Sequence, residues 1–378
     1  MQRSPIVYFL FFISGITALI YEIVWTRMLT LVFGHTVFSV SVVLAAFMAG
    51  LGLGSYLFGY AVDRLPETQG SSAGGKAALL IYGWVEILIF ASGALLSFLF
   101  ANFSGIYASL HSVIPESIPL QNLIKMVFAF GLMLVPTTLM GATLPIISKY
   151  CVTEDSHIGT QVSLLYALNT LGAALGCLMA GFFLMGTFGV LQTVLLAAGA
   201  NLLIGISALS IYLETVPGAD WKFRLPPLQA PRIDWNRDQK FWMGISFICG
   251  FTALAYEVLW TRLLVFSIAS TVYSFSMMLT VFLLGIFLGS LILIPLASRI
   301  HNIRTTLLIL QAGTGLYVIG SLYGLESILS APWNGYNLTQ PLSAFLRYFK
   351  DSAGLMLIPT LILGMCFPLL IKMISGKH

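Results

Sequence analysis

The sequence predicts an all-α, polytopic membrane protein with about ten transmembrane helices in two parallel repeats. Three observations predict it. Hydrophobic residues make up 58% of the 378 residues and charged residues only 8%, and the mean hydropathy is +0.94. Ten separate segments are long and apolar enough to cross a bilayer, and the first part of the chain is repeated in the second. Such a composition excludes an ordinary soluble domain.

The ten predicted spans are defined by length and apolar content. A bilayer span needs about 20 consecutive, mostly apolar residues. We place the spans at residues 5–31, 36–61, 77–103, 122–149, 160–185, 188–213, 240–267, 271–298, 304–329 and 346–373.

The positions of Lys and Arg predict the orientation of these spans. With the N-terminus inside, 13 of the 18 basic residues fall on the cytoplasmic side, three fall on the outer side, and Arg27 and Arg262 lie in spans 1 and 7. Cytoplasmic loops of membrane proteins carry an excess of Lys and Arg. We therefore expect a multi-pass protein of the inner or plasma membrane with both termini in the cytoplasm.

Two blocks of sequence occur twice. The segment Ser14–Arg27 returns as Cys249–Arg262, and 21 of the 43 positions in Ile13–Ser55 are identical to those 235 residues later. A second block, Pro136–Lys149, is matched by Pro359–Lys372 at a spacing of 223. This identity is far greater than shared hydrophobicity would produce, so we interpret it as an internal repeat.

The repeat predicts the domain organisation. Residues 1–213 form a first repeat of six helices, residues 214–239 a Pro-rich cytoplasmic linker, and residues 240–378 a second repeat of four helices. Laid on the first copy, the second stops two helices early, so we expect it to lack its last two helices. Six helices, a linker and a parallel repeat are typical of the major facilitator superfamily.

Each repeated segment carries one acid and one base inside the membrane, Glu22 with Arg27 and Glu257 with Arg262. An ionised side chain at this depth costs about 2.5–3.5 kcal/mol or more, so it needs a partner, water or a proton. Glu and Arg five residues apart point about 140° away from each other on one helix. Ion pairs between the repeats, Glu22 with Arg262 and Glu257 with Arg27, are therefore one interpretation.

The second interpretation is a site for a cation or a proton near the bundle axis. Aromatic residues next to each acid could offer ring faces to a cation: Tyr21 and Trp25 in span 1, and Tyr256 and Trp260 in span 7. Both interpretations of the repeated acids stay open at this point.

Glu86 in span 3 has no basic companion. Its counterpart in span 9 is Gln311, a neutral amide. An unpaired acid within a membrane span is by default a candidate functional residue, for proton coupling or for binding a cationic substrate. Equally, it could be a protonated Glu that donates a hydrogen bond to a neighbouring helix.

Two spans contain pairs of prolines, Pro136 and Pro145 in span 4, and Pro359 and Pro368 in span 10. Proline removes a helical hydrogen bond, so these helices should be kinked or locally unwound. Broken helices at matching positions of two repeats are a sequence indication of a transport site.

Other site classes are not indicated. The four cysteines, Cys151, Cys177, Cys249 and Cys366, form no C-x-x-C pair, so we predict neither a metal site nor a disulfide framework. We expect no cofactor. The net charge of +4 is explained by the orientation of the spans, and nucleic acid is not an expected partner.

Three linked segments resemble one known family: the repeated Ser14–Arg27 phrase, Pro136–Pro145 (PTTLMGATLP) and Leu165–Gly181 (LYALNTLGAALGCLMAG). They resemble the membrane region of the fused major-facilitator/spermidine-synthase-like proteins, and the similarity covers essentially the whole chain. The resemblance implies a transporter-like membrane domain that binds or passes a small cationic metabolite such as a polyamine.

In that family, a soluble domain similar to polyamine aminopropyltransferases usually follows the membrane region. This sequence has no α/β segment and no Gly-rich turn for a nucleotide-like cofactor, so we expect no enzyme activity from it alone. The alternative to transport is a membrane anchor or assembly subunit for a synthase-like domain or another membrane complex. A separate chain would then supply two helices, a synthase-like domain, or both.

Overall fold

The computed structural model consists of long helices. It describes residues 5–33, 36–65, 73–103, 105, 117–151, 158–215, 236–268, 272–296, 300, 302–329 and 341–374. Its helices are α1 (Pro5–Phe33), α2 (Thr36–Asp63), α3 (Ala73–Ala101), α4 (Ile118–Cys151), α5 (Ile158–Met179), α6 (Val190–Thr215), α7 (Arg237–Ile268), α8 (Val272–Leu296), α9 (Ile303–Leu329) and α10 (Pro341–Ile374).

Ten helices in the described residues are long and apolar enough to cross a membrane, and these residues contain no strand. The prediction of an all-helical, multi-pass membrane protein is thereby confirmed. The two-repeat arrangement, the membrane concerned and the cytoplasmic side of the termini stay predictions. Most of the predicted linker, residues 216–235, lies outside the described residues.

The end of α5 is irregular. After Met179 the helix passes through a π-helical segment, Ala180–Leu184, and a short α-helical turn, Met185–Phe188. Gly189 then ends the helix with φ at 81°, and its N–H donates to the carbonyl oxygen of Met185 at 3.1 Å. A positive φ at a helix end favours glycine, which has no Cβ to clash. Residue 189 therefore separates α5 from α6.

The chain divides into two compact units, each with its own packing. Unit 1 comprises Met1–Asp155 and Phe183–Pro231, and unit 2 comprises Ser156–Phe182 and Arg232–His378. Most of α5 thus belongs by its contacts to unit 2, where it packs along α8. Membership of a sequence repeat and membership of a packing unit are different properties, so the predicted repeat boundaries stay predictions.

In unit 1, α2 and α4 approach closely through glycines. A Cβ added to Gly54 would collide with the carbonyl oxygen of Thr138, and one added to Gly141 would collide with Leu51. The Ser55 Oγ atom donates to the Gly141 carbonyl oxygen at 3.0 Å. Small residues allow such close helix packing in membranes, where polar contacts between helices also contribute.

In unit 2, α8 and α10 pack in a similar way. The residues involved are the sequence-repeat matches of Gly54, Ser55 and Gly141. A Cβ on Gly289 would collide with the Leu361 carbonyl oxygen, and one on Gly364 with Ile286. The Ser290 Oγ atom donates to the Gly364 carbonyl oxygen at 3.1 Å. The same side-chain pattern therefore produces the same kind of helix contact in each unit.

Both helices that contain a pair of prolines are continuous. α4 runs through Pro136 and Pro145, and α10 runs through Pro359 and Pro368. The predicted local unwinding is therefore not observed, and the kinks stay a prediction. The threonine after the first proline of each pair, Thr137 or Thr360, donates its hydroxyl to the carbonyl oxygen four residues earlier at 2.7 Å, and such bonds often bend helices.

Candidate functional site

Helices α1 and α3 of unit 1 run parallel and in register. Their contacts join residues that are 72 apart in sequence: Ser14 with Glu86, Tyr21 with Gly93, and Trp25 with Ser97. Three contacts at one constant offset require two helices that run in the same direction. Spans 1 and 3 should do so, because successive spans alternate in direction. This register places the polar residues of α1 against those of α3.

Glu86 lies at the meeting point of α1, α3 and α6. It is fully buried. Its Oε1 atom accepts a hydrogen bond from Ser14 Oγ at 2.7 Å, and its Oε2 atom accepts one from Asn201 Nδ2 at 2.6 Å. Both carboxyl oxygens are therefore occupied by side chains of neighbouring helices.

Two residues near Glu86 were not predicted from the sequence. Asn201 of α6 donates to the carboxyl group, and the Tyr82 hydroxyl lies beside that group. Within the described residues, the Tyr82 hydroxyl and Asn201 Oδ1 have no hydrogen bond of good geometry. The available signal was Asn201 itself, since a lone amide in an apolar span normally faces other helices.

Glu22 is buried without the hydrogen bonds that Glu86 has. It is 2% exposed, and within the described residues its Oε1 atom has no hydrogen-bond partner. The hydroxyl of the preceding residue, Tyr21, is also buried, and it too has no hydrogen-bond partner within the described residues. Buried polar atoms nearly always have a partner, so each exception calls for a physical explanation.

The predicted aromatic residues pack on each other in both units. The Tyr21 and Trp25 ring centroids are 5.0 Å apart, and those of Tyr256 and Trp260 are 5.2 Å apart. A phenylalanine of the next helix, Phe47 or its sequence match Phe282, extends each pair. Trp25 also donates its Nε1–H to Ser97 Oγ at 2.9 Å, so its ring is fixed in the core.

The four charged residues of the repeated phrase differ in burial. Glu22 and Glu257 are each 2% exposed, whereas Arg27 and Arg262 are exposed. The ion pairs predicted from the sequence, Glu22 with Arg262 and Glu257 with Arg27, would each join unit 1 to unit 2. They stay predictions.

Unit 2 contains a counterpart of the contact between Ser14 and Glu86. Gln311 of α9 donates its Nε2–H to Cys249 Sγ of α7 at 3.4 Å and contacts Cys366 Sγ of α10 at 3.4 Å. Cys249 is the sequence match of Ser14, and Gln311 is that of Glu86. Equivalent positions therefore meet in each unit, but the direction of hydrogen-bond donation is reversed.

A cavity of about 650 Å³ lies between α7 and α9 in unit 2. Arg237, Asp238 and Arg304 line it at the start of the two helices, and Cys249, Thr252 and Gln311 line it further along. The Arg304 guanidinium lies over the Trp242 ring, 5.7 Å from the centroid. Most of the remaining lining is apolar, which is typical of a groove in contact with lipid or another helix.

The buried polar groups described above form hydrogen bonds between helices. No cluster of three or more His, Cys, Asp or Glu side chains among them could hold a metal ion. No family model matches the chain, and no curated protein matches it either.

Proposed function

We propose that this integral membrane protein binds a small cationic metabolite of the polyamine type and passes it across the membrane, without catalysis of its own. The observation that carries the proposal is the buried Oε1 atom of Glu22, which has no hydrogen-bond partner among the described residues.

A buried carboxyl oxygen without a hydrogen-bond partner costs free energy. Glu22 lies near the middle of α1, a helix of 29 residues. Burying a polar group without compensation costs free energy, and burying a charge without a partner costs more. A bound cation or proton would remove that cost. Ligand binding at Glu22 would therefore be favourable. Glu86 would gain less from a ligand, because both of its carboxyl oxygens already accept hydrogen bonds.

The repeat supplies one buried acid of this kind in each unit. Glu257, the sequence match of Glu22, is equally buried at 2% exposure, and each acid follows a tyrosine in the same phrase. A carboxylate such as that of Glu22 suits an ammonium group, and a linear polyamine carries several of these groups. The resemblance of the repeated phrase to fused facilitator/spermidine-synthase-like proteins points to the same ligand class, with facilitator-like alternating access as the mechanism.

Uptake into proteoliposomes tests this function. The full chain should accumulate radiolabelled spermidine above empty vesicles, and Glu22→Gln should reduce the rate at least about tenfold by removing the carboxylate. Asp351→Asn is the matched control, because Asp351 is partnered by Arg347 at 4.0 Å and has no part in the proposal. An uptake rate equal to that of empty vesicles would refute transport.

The second candidate function is a membrane anchor or assembly subunit for a synthase-like domain or another membrane complex. Glu86 favours it, because the acid that the sequence marks as unpaired holds three helices together through Ser14 and Asn201. Under this function the protein would show no spermidine uptake. It would instead co-purify, from membranes of its own host, with an aminopropyltransferase-like protein in a fixed ratio.

A further inference from the structure

Glu86 joins three helices, but joining helices at this position does not require an acid. In unit 2 the matching residue, Gln311 of α9, contacts Cys249 of α7 and Cys366 of α10 through its Nε2 atom. An uncharged amide therefore joins three helices at the equivalent position. An acid within a membrane span is costly. A carboxyl group differs from an amide of similar shape in that it can bind and release a proton.

Hydroxyl and amide groups surround the Glu86 carboxyl in unit 1. They come from α1, α3 and α6: Ser14, Tyr21, Tyr82 and Asn201. The remaining titratable group is the Cys151 thiol at the end of α4, which lies near Tyr82. Among the described residues, no basic side chain pairs with Glu86. An ionised Glu86 thus has no counter-charge here, and a bound proton would neutralise it.

The length of one contact favours a bound proton. The Glu86 Oε2 atom lies 2.6 Å from the Asn201 amide. N–H···O bonds usually measure about 2.7–3.2 Å, whereas O–H···O bonds measure about 2.5–3.0 Å. Rotation of the amide group exchanges its nitrogen and oxygen without changing its shape. A protonated Glu86 can therefore donate its O–H to Asn201 Oδ1, an atom that has no hydrogen-bond partner among the described residues in the present orientation.

The same neighbours can also stabilise the ionised form. With the amide nitrogen facing Oε2, the carboxylate accepts hydrogen bonds from Ser14 and Asn201. Tyr82 is fully buried, and its hydroxyl has no partner of good geometry in the part of the chain that the structure describes. That hydroxyl can donate to a carboxylate or accept from a carboxyl group. Exchange of the proton with water therefore requires rotation of one amide and one hydroxyl, and no change in side-chain volume.

The packing around Glu86 leaves room for a proton but not for a metabolite. Glu86 is fully buried, and both of its oxygens are in direct contact with side chains of other helices. About one helical turn away, a Cβ added to Gly205 of α6 would collide with the carbonyl oxygen of Gly83 of α3. A larger cation would have to separate these helices. A proton requires no space and leaves a hydrogen bond at each carboxyl oxygen.

We propose that Glu86, Asn201 and Tyr82 form a proton-binding site in unit 1, in which the Asn201 amide turns over when Glu86 gains or loses its proton. The hydrogen bonds join α1, α3 and α6 in both protonation states, so proton binding is compatible with a packing role for Glu86. The site does not depend on cation binding at Glu22. Its consequence for transport, coupling of cation passage to a proton, rests on the proposed function.

Infrared spectroscopy of the full chain in lipid vesicles tests the site, because protonated and ionised carboxyl groups absorb at different frequencies. With isotope-labelled glutamate, the difference between the unaltered chain and Glu86→Gln isolates the signal of Glu86. We expect a protonated-carboxyl band that is replaced by carboxylate bands as the pH is raised and that Glu86→Gln lacks at every pH. Glu214→Gln should retain the band. It is the matched control because Glu214 is exposed near the end of α6.

Three outcomes would overturn the proposal. Identical bands in the unaltered chain and in Glu86→Gln would show that Glu86 binds no proton. A Glu86 band that persists at every pH at which the protein stays folded would indicate a permanently neutral, structural acid. Carboxylate bands alone over the same range would indicate a permanently ionised one.

A second variant keeps the carboxyl group and changes its surroundings. Tyr82→Phe removes a hydroxyl that can donate to the carboxylate, so the protonated band of Glu86 should persist to higher pH than in the unaltered chain. Tyr212→Phe is the control, because Tyr212 lies about three turns from Asn201 on α6. Equal pH dependence in the two variants would exclude Tyr82 from the site.

Uptake of radiolabelled spermidine into proteoliposomes tests the consequence for transport. An imposed pH gradient should change the rate for the unaltered chain, whereas the rate for Glu86→Gln should no longer depend on the gradient. A gradient-dependent rate in Glu86→Gln would refute coupling through this site. Absence of uptake by the unaltered chain would refute the proposed function instead, and the infrared bands would still decide whether Glu86 binds a proton.

Discussion

Two buried acids of unit 1 have opposite hydrogen-bonding environments. Glu86 accepts from Ser14 and Asn201, whereas Glu22 Oε1 accepts no hydrogen bond within the described residues. A satisfied buried polar group stabilises and orients its neighbours, while an unsatisfied one is costly. This contrast assigns helix packing to Glu86 and leaves Glu22 as the candidate for ligand binding.

The role of Glu86 in packing predicts the effect of losing Asn201. Asn201→Leu removes the donor to Glu86 Oε2 and should lower the free energy of unfolding by about 1–2 kcal/mol. Denaturation of the purified protein in detergent measures it. Leu203→Ala is the control on the same helix, because Leu203 is 66% exposed. Equal stability of the two variants would show that the hydrogen bond contributes nothing.

Glycines determine how closely two helices of a unit approach each other. In the pair α2 and α4, a Cβ on Gly54 would collide with the backbone of the partner helix, whereas one on Gly52, two residues away, would meet nothing within 4 Å. A side chain is therefore excluded at Gly54 but has room at Gly52. Only the first is required for the packing of α2 on α4.

This difference gives a matched pair of variants. Gly54→Ala should destabilise the protein by about 1–3 kcal/mol, because the collision with the Thr138 carbonyl forces the helices apart. Gly52→Ala should be neutral or stabilise by up to about 1 kcal/mol, because alanine favours the helix. Thermal unfolding of both in the same detergent decides the matter, and a reversed order would contradict the close approach.

The turn between α5 and α6 depends on a single residue. Gly189 has a φ of 81°, so Gly189→Ala should cost about 1–2 kcal/mol of unfolding free energy. Gly186→Ala is the control, because a Cβ there would meet nothing within 4 Å. If thermal unfolding finds equal stabilities, the turn does not require a left-handed residue.

At the scale of the whole molecule, the sequence repeat and the packing units divide the chain differently. The repeat assigns α5 to the first six helices, but its contacts place most of it in unit 2, against α8. Within unit 2, the Phe182 ring packs at a tilt against Tyr273 and edge-to-face against Phe345. A helix that belongs to one repeat by sequence is therefore stabilised by the packing of the other unit.

The predicted topology concerns the whole chain. Because basic residues concentrate on one side of the predicted spans, which is typically the cytoplasmic side, a green fluorescent protein fused to the C-terminus should fluoresce, and alkaline phosphatase fused there should be inactive. A fusion in the outer loop between α3 and α4 should behave in the opposite way. Active phosphatase at the C-terminus would contradict the orientation.

The sequence predicted where the helices lie along the chain, but it did not predict which helices pack against each other. Span length and hydropathy located ten helices, since both are local properties. Which helices meet is not local: the amide of Asn201 indicates that α6 faces other helices, but not that it contacts Glu86 of α3. The π-helical end of α5 likewise has no simple sequence pattern. The match of Glu86 to Gln311 could be predicted, because it follows from a local alignment of spans 3 and 9 and does not depend on which helices meet.

The reversed donation between Ser14 with Glu86 and Cys249 with Gln311 has a genetic consequence. Duplicated DNA can recombine, and an exchange within the repeated phrase would put Cys249 opposite Glu86 or Ser14 opposite Gln311. A thiol is a weak donor to a carboxyl group, so the first hybrid would lose the strong bond. Each of these residues is thus matched to the partner in its own unit, and such an exchange would cost one hydrogen bond between helices.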